Sequence, residues 1–553
     1  MDKITCPFAA TMVGLFFLVV GGGLAWFGVR RISNMRAKEI LTLTNDTNTQ
    51  NRWIKPTKSS TFKVYIFNVT NPNEIKNGSK PNLRPIGPYI FEETLMKINL
   101  HGIGESSLSY RLSSSLDFDE EDSEPWMDTD RITVINVPLA NALAGDYGAN
   151  TQFAPSDLSN LFINTTVKKI LFDGIPVNCS DEEESVFLPC SNLELHNPKL
   201  IRREGDEFRF SFFHNKKQVA SETYTVDTGR KNVKNAGKIT AINNKPMLDI
   251  WRGDDCNRIN GSDGSQFPKM LNQKFKVYLY DRDICRSIYI EFDEVVNEDG
   301  FNLFKYVIKK DLFMAGNDNA ENKCFCRSSS VELLERNKEE GSQSSVCFGT
   351  GLLSLFPCTG SSLVASFPFF YLGDEKYMEY TGLRPNKHDH ETFFEIEPTL
   401  GITTSSCKRL QINVEIPQVK GKNIMGVKSA EVFPVLWFEE RTYLSEEYYT
   451  ILRNRIFEKV VMEYGTWVLL GLGFFLVLVP YPVQFVLHGL CRGLESPSFP
   501  AQNRSKISLE YEPEPDKIVR LWEPQRRTKF DKTVDRMLSE EVKRNPLKID
   551  NFM

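Results

Sequence analysis

The chain lacks any excess of basic charge: Lys and Arg total 67 against 72 Asp and Glu, for a net charge of -5. Nucleic-acid recognition needs a basic face, so that class is set aside. No Gly-x-Ser-x-Gly elbow, dinucleotide fingerprint, Walker loop or Cys-x-x-Cys pair occurs. Their absence removes the common signatures of acyl hydrolysis, nucleotide binding and zinc ligation, and no catalysis or cofactor is expected. Gly261-Ser262-Asp263-Gly264 has the wrong spacing for a nucleophile elbow. No internal repeat is present, and no long apolar run lies between residues 30 and 464.

Apolar sequence is instead concentrated at the two ends. Residues 7–29 and 465–487 carry no acidic or basic side chain. At about 1.5 Å per residue each run crosses the roughly 30 Å hydrocarbon layer, so two transmembrane helices are predicted. The first run exceeds the ~7–15-residue apolar core of a secretory signal, so an uncleaved anchor is expected. The resulting division is a cytosolic N-terminus (1–6), a span (7–29), an ectodomain (30–464), a second span (465–487) and a cytosolic tail (488–553).

The ectodomain holds nine of the eleven cysteines and sequons at Asn45, Asn68, Asn77, Asn164, Asn178 and Asn260. Both features suit an oxidising exterior. Arg30, Arg31, Arg36 and Lys38 follow the first span and alone favour the opposite topology, but long loops translocate largely regardless of charge. The expectation is a multi-pass plasma-membrane protein with both termini cytosolic.

Short alternating segments dominate the ectodomain. Phe62-Lys63-Val64-Tyr65-Ile66-Phe67 stops at Asn71-Pro72; Phe208, Phe210 and Phe212 share one face; Leu410, Ile412, Val414 and Ile416 alternate with polar residues up to Pro417. A helix is predicted over Asp157 to Phe172, and Ser445-Glu446-Glu447 has the form of an N-cap leading into the second span. Acidic runs at Asp119 to Asp122 and Asp181 to Glu184 lack calcium-ligand spacing and are expected to be solvated loops. The polar, proline-bearing tail is expected to be disordered.

Several stretches together resemble the class B scavenger receptor family. Residues 62–72 with Gly87-Pro88-Tyr89 resemble its N-terminal strand and turn. Trp251-Arg252-Gly253-Asp254-Asp255-Cys256-Asn257, followed by Gly261-Ser262-Asp263-Gly264-Ser265-Gln266-Phe267-Pro268, is similar to its central motif. Ser366-Phe367-Pro368-Phe369-Phe370-Tyr371-Leu372, Glu397-Pro398 with Gly401, and residues 408–413 complete the set. Leu171 to Cys179 and Cys324-Phe325-Cys326 look most like the insect sensory neuron membrane proteins. The resemblance implies a β-rich ectodomain: an antiparallel β-barrel with short helices, a distal helical bundle, and a hydrophobic tunnel running toward the bilayer. It also implies disulfides Cys256 with Cys324, Cys285 with Cys358, and Cys326 with Cys347, and in the subgroup Cys179 with Cys190; spacing alone does not fix this connectivity. Cys407 is left as a buried thiol.

Zinc at Cys324, Cys326, Cys347 and Cys358 is disfavoured by spacing and compartment. His388-Asp389-His390-Glu391 follows a turn-like Pro385-Asn386-Lys387, so an exposed loop is expected there and no metal. Glycans are expected at Asn68, Asn164 and Asn260, then Asn77 and Asn45; Cys179 makes Asn178 a poor acceptor. Cys6 and Cys491 border the spans, where palmitoylation and a plain thiol are both open readings.

The function expected from the resemblance is a cell-surface lipid receptor and transfer protein. A long chain gains about 0.8 kcal/mol for each CH₂ withdrawn from water, and a tunnel ending at the bilayer gives it a sheltered route. The partners implied are hydrophobic lipids, pheromone-like or otherwise long-chain, the membrane, and an odorant receptor or extracellular lipid carrier. The family commonly captures anionic ligands on distal basic residues, whereas no Lys or Arg occurs here between Ile132 and Val167. Lys168 and Lys169 are the nearest candidate ligand contacts, and neutral or weakly charged lipids are expected. The alternatives are a scavenger receptor for fatty acids, sterols or carotenoids, a cargo-escorting lysosomal protein, a tethered hydrolase and an adhesive ectodomain. The tail has no acidic Leu-Leu or Leu-Ile sorting pair, which counts against lysosomal delivery.

Overall fold

The alternation of apolar and polar residues is realised as strands that are buried on alternate positions. In the computed structural model, described over residues 5–44, 48–55, 60–144, 161–177, 199–205, 207–298, 300–328, 345–416, 418–419, 422–423, 431–480, 482–483 and 485–486, thirteen of them form one large sheet. The chain divides into two units, 1–481 and 482–553, and the first contains everything discussed below.

The strands of the large sheet are β1 (Ser60–Val69), β2 (Leu83–Ile103), β3 (Ser107–Phe118), β4 (Val219–Asp227), β5 (Ile239–Ile242), β6 (Val277–Asp281), β7 (Arg286–Glu298), β8 (Phe301–Val307), β9 (Leu353–Ser354), β10 (Leu363–Ser366), β11 (Phe393–Glu397), β12 (Ile402–Glu415) and β13 (Val432–Tyr443). The pairing order is β5-β4-β3-β2-β1-β13-β12-β11-β8-β7-β6, all antiparallel, with β10 on β12 and β9 on β10. Phe62, Val64 and Ile66 of β1 point into the main core, where the Phe62 ring lies 5.2 Å from Phe213 and 5.1 Å from Phe438. On the opposite face Tyr65 stacks on its cross-strand partner Trp437 at 4.0 Å. Each large ring so buried contributes roughly 1.5–3 kcal/mol.

The two ends of the order, β5 and β6, are joined by a short connector. Ile239 N–H of β5 donates to Gly261 O at 2.9 Å, and Tyr280 N–H of β6 donates to Ser262 O at 2.8 Å. Gly261 has φ +89°, and a Cβ there would lie 2.1 Å from Tyr278 O. Only glycine fits so close to a neighbouring backbone in this conformation. The glycine-rich stretch of the central motif is therefore the seam that closes the sheet into a barrel.

Two long helices flank the barrel. The N-terminal one runs through Thr5–Gly23, a π-helical Leu24–Gly28 and Val29–Leu41; the C-terminal one covers Glu446–Leu478. Ser445 caps the latter, accepting from Tyr448 N–H at 3.3 Å. The two helices are the apolar candidates for membrane crossing, Ala9–Gly28 and Tyr448–Leu478. The 33 residues of the C-terminal helix span about 50 Å, more than the hydrocarbon layer, so its first turns belong to the ectodomain. The helices touch where a Cβ on Gly14 would come within 2.9 Å of Gly473 O and of Leu476 Cβ. Gly21 also faces the C-terminal helix, whereas a Cβ on Gly22 or Gly23 would point into open space.

Two local expectations are corrected. Within the segment expected to be helical from Asp157, Phe162–Thr166 is a strand paired with Arg131–Ile135, and the helical turn after it runs from residue 167 into the π-helix Lys169–Asp173. Aromatic and β-branched Phe162-Ile163-Asn164-Thr165-Thr166 found a backbone partner, which outweighs helical spacing of its apolar residues. The Lys387–His390 segment, expected to be an exposed loop, is a helical turn with His390 buried; Asn386 caps it by accepting from Asp389 N–H at 2.8 Å. The acidic Asp119 to Asp122 run likewise caps and opens the short helix Glu120–Ser123. Of the distal helices, Val137–Ala144 is described; residues 145–160, the acidic run Asp181 to Glu184 and the tail lie outside the described residues.

Candidate functional site

Because both ends of the strand order meet at the seam, their side chains converge on one interior space. A cavity of about 290 Å³ is lined from β2 by Leu95 and Lys97, from β6 by Leu279 and Asp281, and from β12 by Ile402 and Lys408. Trp53, on the short helix Asn48–Ile54 that follows the first span, and Leu444, Ser445 and Tyr448, at the start of the C-terminal helix, complete the wall. The volume is at the lower end of the range of small-molecule sites. The cavity therefore opens against the chain segments that lead into both spanning helices.

Its wall is apolar and aromatic on one side. Trp53 meets Tyr110 edge-on at 5.0 Å, Tyr110 stacks on Tyr224 at 5.6 Å, and Tyr224 lies 6.4 Å from Tyr280. Lys97, 5% exposed, crosses this group: Nζ sits 4.5 Å above the Trp53 ring, donates to Trp53 O at 3.1 Å and pairs with Asp263 at 3.0 Å. Burial pushes Asp263 up, but Lys97 and the Ser265 hydroxyl outweigh it and hold the carboxyl below the usual range.

The other side is a charged lattice. Lys408 bonds Asp281 at 2.8 Å and Asp283 at 2.6 Å; Lys216 reaches Asp283 at 3.5 Å and Glu440 at 4.0 Å; Arg282 meets Glu93 at 3.4 Å. Ser60 and Ser114 hydroxyls also donate to Glu93. Burial pushes Glu93 up, aided by Glu440 and only partly opposed by Lys216 and Arg282. Asp283 goes the other way: burial raises it, but Lys216, Lys408 and Arg282 hold it well below the ordinary aspartate range. Adjacent charges in a low-dielectric site are retained only when paired in this manner.

The residues anticipated from sequence lie elsewhere. Lys168 is half-exposed and 3.9 Å from Asp128, and Lys169 is exposed; neither touches the cavity. Asn77 and Asn164 are exposed, Asn68 and Asn260 are half-buried, and Asn68 Oδ1 accepts from Thr133 N–H at 2.8 Å. Asn45, Asn178, Cys179 and Cys190 lie outside the described residues. Cys256 is bonded to Cys324, Cys285 to Cys358 and Cys326 to Cys347. Cys407 is a buried free thiol, pushed up to about 12 by burial and then by Glu439. His388 is 97% exposed, while buried His390 stacks on Phe369 at 4.4 Å, so the two histidines do not converge. Among the described residues no cluster of three His, Cys, Asp or Glu is placed to hold a metal.

Sequence reasoning missed the charged lattice. Its one legible trace is Asp281-Arg282-Asp283 at the end of an apolar strand, and nothing local ties that triplet to Glu93, Lys216, Lys408 or Glu440.

Comparison with known proteins fits this architecture. Residues 12–481 match the CD36 family model. The chain is 33% identical to sensory neuron membrane protein 2 of Heliothis virescens over 488 residues, covering 84% of this chain and 91% of that one. It is 30% identical to sensory neuron membrane protein 1 of Apis mellifera, covering 79% and 84%. It is 28% identical to lysosome membrane protein 2 of Mus musculus, covering 86% and 94%. With two apolar terminal helices, a nearly closed antiparallel barrel between them and a family match across nearly all of its described length, the chain belongs to the CD36 family of class B scavenger receptors.

Proposed function

We propose that this protein is a cell-surface lipid receptor that passes hydrophobic ligands, pheromone-like or other long-chain lipids, through its ectodomain to the membrane or to an adjacent chemoreceptor. The observation that carries the reading is the cavity of about 290 Å³ with its aromatic wall, bounded by Leu444 and Tyr448 where the C-terminal helix begins. An alkyl chain leaving water for that wall gains about 25 cal/mol per Å² of apolar surface buried, and no chemical step is needed to move it on into a bilayer. The sensory neuron names of its relatives support a role in sensory tissue; an extracellular lipid carrier or an odorant receptor is the partner this reading implies. Asn77 and Asn164, exposed on the ectodomain, are the favoured glycan sites, followed by Asn68, Asn260 and Asn45; both termini are placed in the cytosol and the protein at the plasma membrane.

The test is transfer itself. Liposomes holding the full-length chain are expected to acquire a long-chain alcohol from an albumin donor faster than protein-free liposomes. Equal rates, together with no saturable binding of that alcohol, would overturn the reading in favour of an adhesive or escort role. A second reading, cargo escort in lysosomes, is favoured by the lysosome membrane protein relatives alone.

A further inference from the structure

The charge of the cavity wall, taken together with the groups paired directly behind it, is balanced. Lys97, Arg282 and Lys408 line it, and each already holds a carboxylate: Asp263 at 3.0 Å, Glu93 at 3.4 Å, and Asp281 at 2.8 Å. Behind them Lys216 stands between Asp283 and Glu440. The remaining wall cation, Arg52, lies over the Tyr448 ring at 5.2 Å. Counting these groups gives five cations against the five carboxylates Glu93, Asp263, Asp281, Asp283 and Glu440.

An ionised ligand carboxylate entering this space meets no net positive potential; apart from Arg52, which is engaged with the Tyr448 ring, it has to break an existing ion pair to gain a partner. Dehydrating it is costly, and exchanging one buried pair for another does not offset that cost. A neutral head group needs only one or two hydrogen bonds. The wall supplies these from hydroxyls that need not give up a charged partner: Ser406 and Thr442 bond each other at 2.5 Å, and Thr404 donates to Glu395 O at 3.0 Å, a role that leaves a hydroxyl oxygen its capacity to accept.

We propose that the cavity selects lipids with uncharged polar heads, such as alcohols, aldehydes and esters, and discriminates against free carboxylates through the pairing of its own charges. This rests on the lipid-transfer reading above, and assigns the ligand class of the same site from its interior rather than from the outer surface near Lys168 and Lys169.

The test compares binding of dodecanol, dodecyl acetate and dodecanoate to the full-length protein in nanodiscs, with empty nanodiscs as the partition control. At about pH 8 the acid is fully ionised. Dodecanol and the acetate are expected to bind with dodecanoate weaker by about tenfold or more. Asp263→Asn, which frees Lys97, is expected to raise the ratio of dodecanoate to dodecanol affinity by about fivefold. If that variant does not fold, Glu440→Gln provides the same reading through Lys216. Equal or tighter binding of dodecanoate overturns the proposal while leaving lipid transfer intact, the more so if Arg52→Ala abolishes it. An unchanged ratio in both variants also overturns it. Failure of all three probes to bind overturns the transfer reading itself.

Discussion

Replacing Arg409 with Met should destabilise the barrel more than any surface change, and the cost follows from its partners. Arg409 of β12 sits directly across from Glu439 of β13, with Nε and Nη2 each 2.7 Å from Glu439 Oε2 and side chains 8% and 7% exposed. Nη1 also donates to Glu391 O at 2.5 Å. Removing one member of a buried pair strands the other and costs about 3–5 kcal/mol. Unfolding entropy is about 2.1 cal/mol/K per residue, or about 0.8 kcal/mol/K over roughly 400 residues, so the apparent Tm should fall by about 4–6 °C. Arg409→Met combined with Glu439→Met should recover most of that loss, because a well-packed apolar pair replaces a buried ionic one at little cost. The assay is thermal unfolding of the purified full-length protein at one fixed scan rate, with cell-surface delivery as the parallel readout. The same two strands carry Ile402, Lys408, Glu440 and Tyr443 of the cavity wall, so lipid transfer should fall with stability in the single variant and return in the double. A fall below about 1 °C in Arg409→Met, or a double variant no better than the single, would refute the reasoning.

Further outcomes are expected. Gly261→Ala places a Cβ 2.1 Å from Tyr278 O at φ +89°, so it should prevent barrel closure and abolish surface delivery; normal delivery, read by surface biotinylation, would show that the seam is not needed. Glu93 has its folded-state pKa raised by burial, so its contribution is fully present below the unfolded value of about 4.3 and is lost as pH rises through the raised value. Glu93→Gln should therefore flatten that fall in stability across the window above about pH 4, measured as Tm against pH. Asp283 has the opposite sign: its depressed pKa supplies stability above the unfolded value of about 3.9 that disappears as pH falls below it, and Asp283→Asn should lower Tm at neutral pH. In the membrane, cysteines at Gly14 and Leu476 should cross-link under mild oxidation, because a Gly14 Cβ lies 2.9 Å from Leu476 Cβ. Cysteines at Gly22 and Leu470 should stay apart on the same gel; equal cross-linking would reject the helix contact.

Period and composition made much of the architecture readable in advance. Alternation in residues 62–67 and 410–416 appears as β1 and β12, uncharged apolar runs appear as two long helices, and Ser445 caps where its polarity and following acids required. These signals are local, set by which face of a strand or stretch of helix a residue occupies, so neighbours in sequence suffice to reveal them. The Phe162–Thr166 strand was misread for the complementary reason: its helical spacing was real, but pairing with Arg131–Ile135 decides it and no local signal reports a partner about thirty residues away.

The cavity belongs wholly to the second kind of information. Lys97, Asp263, Arg282 and Lys408 are unremarkable charges along the chain, each in a strand or loop that reads as solvated. They become buried pairs only because β5 and β6 meet across Gly261 and Ser262, bringing strands from opposite ends of the sheet around one space. Sequence alone determined the spans and the strand-rich class, which rest on hydrophobic periodicity and length, and the family likeness, which rests on particular motif residues. Tertiary structure alone decided the closure of the barrel, the pairing of its interior charges and hence the character of the site, since Coulomb and dehydration energies depend on distances that only the closed sheet sets.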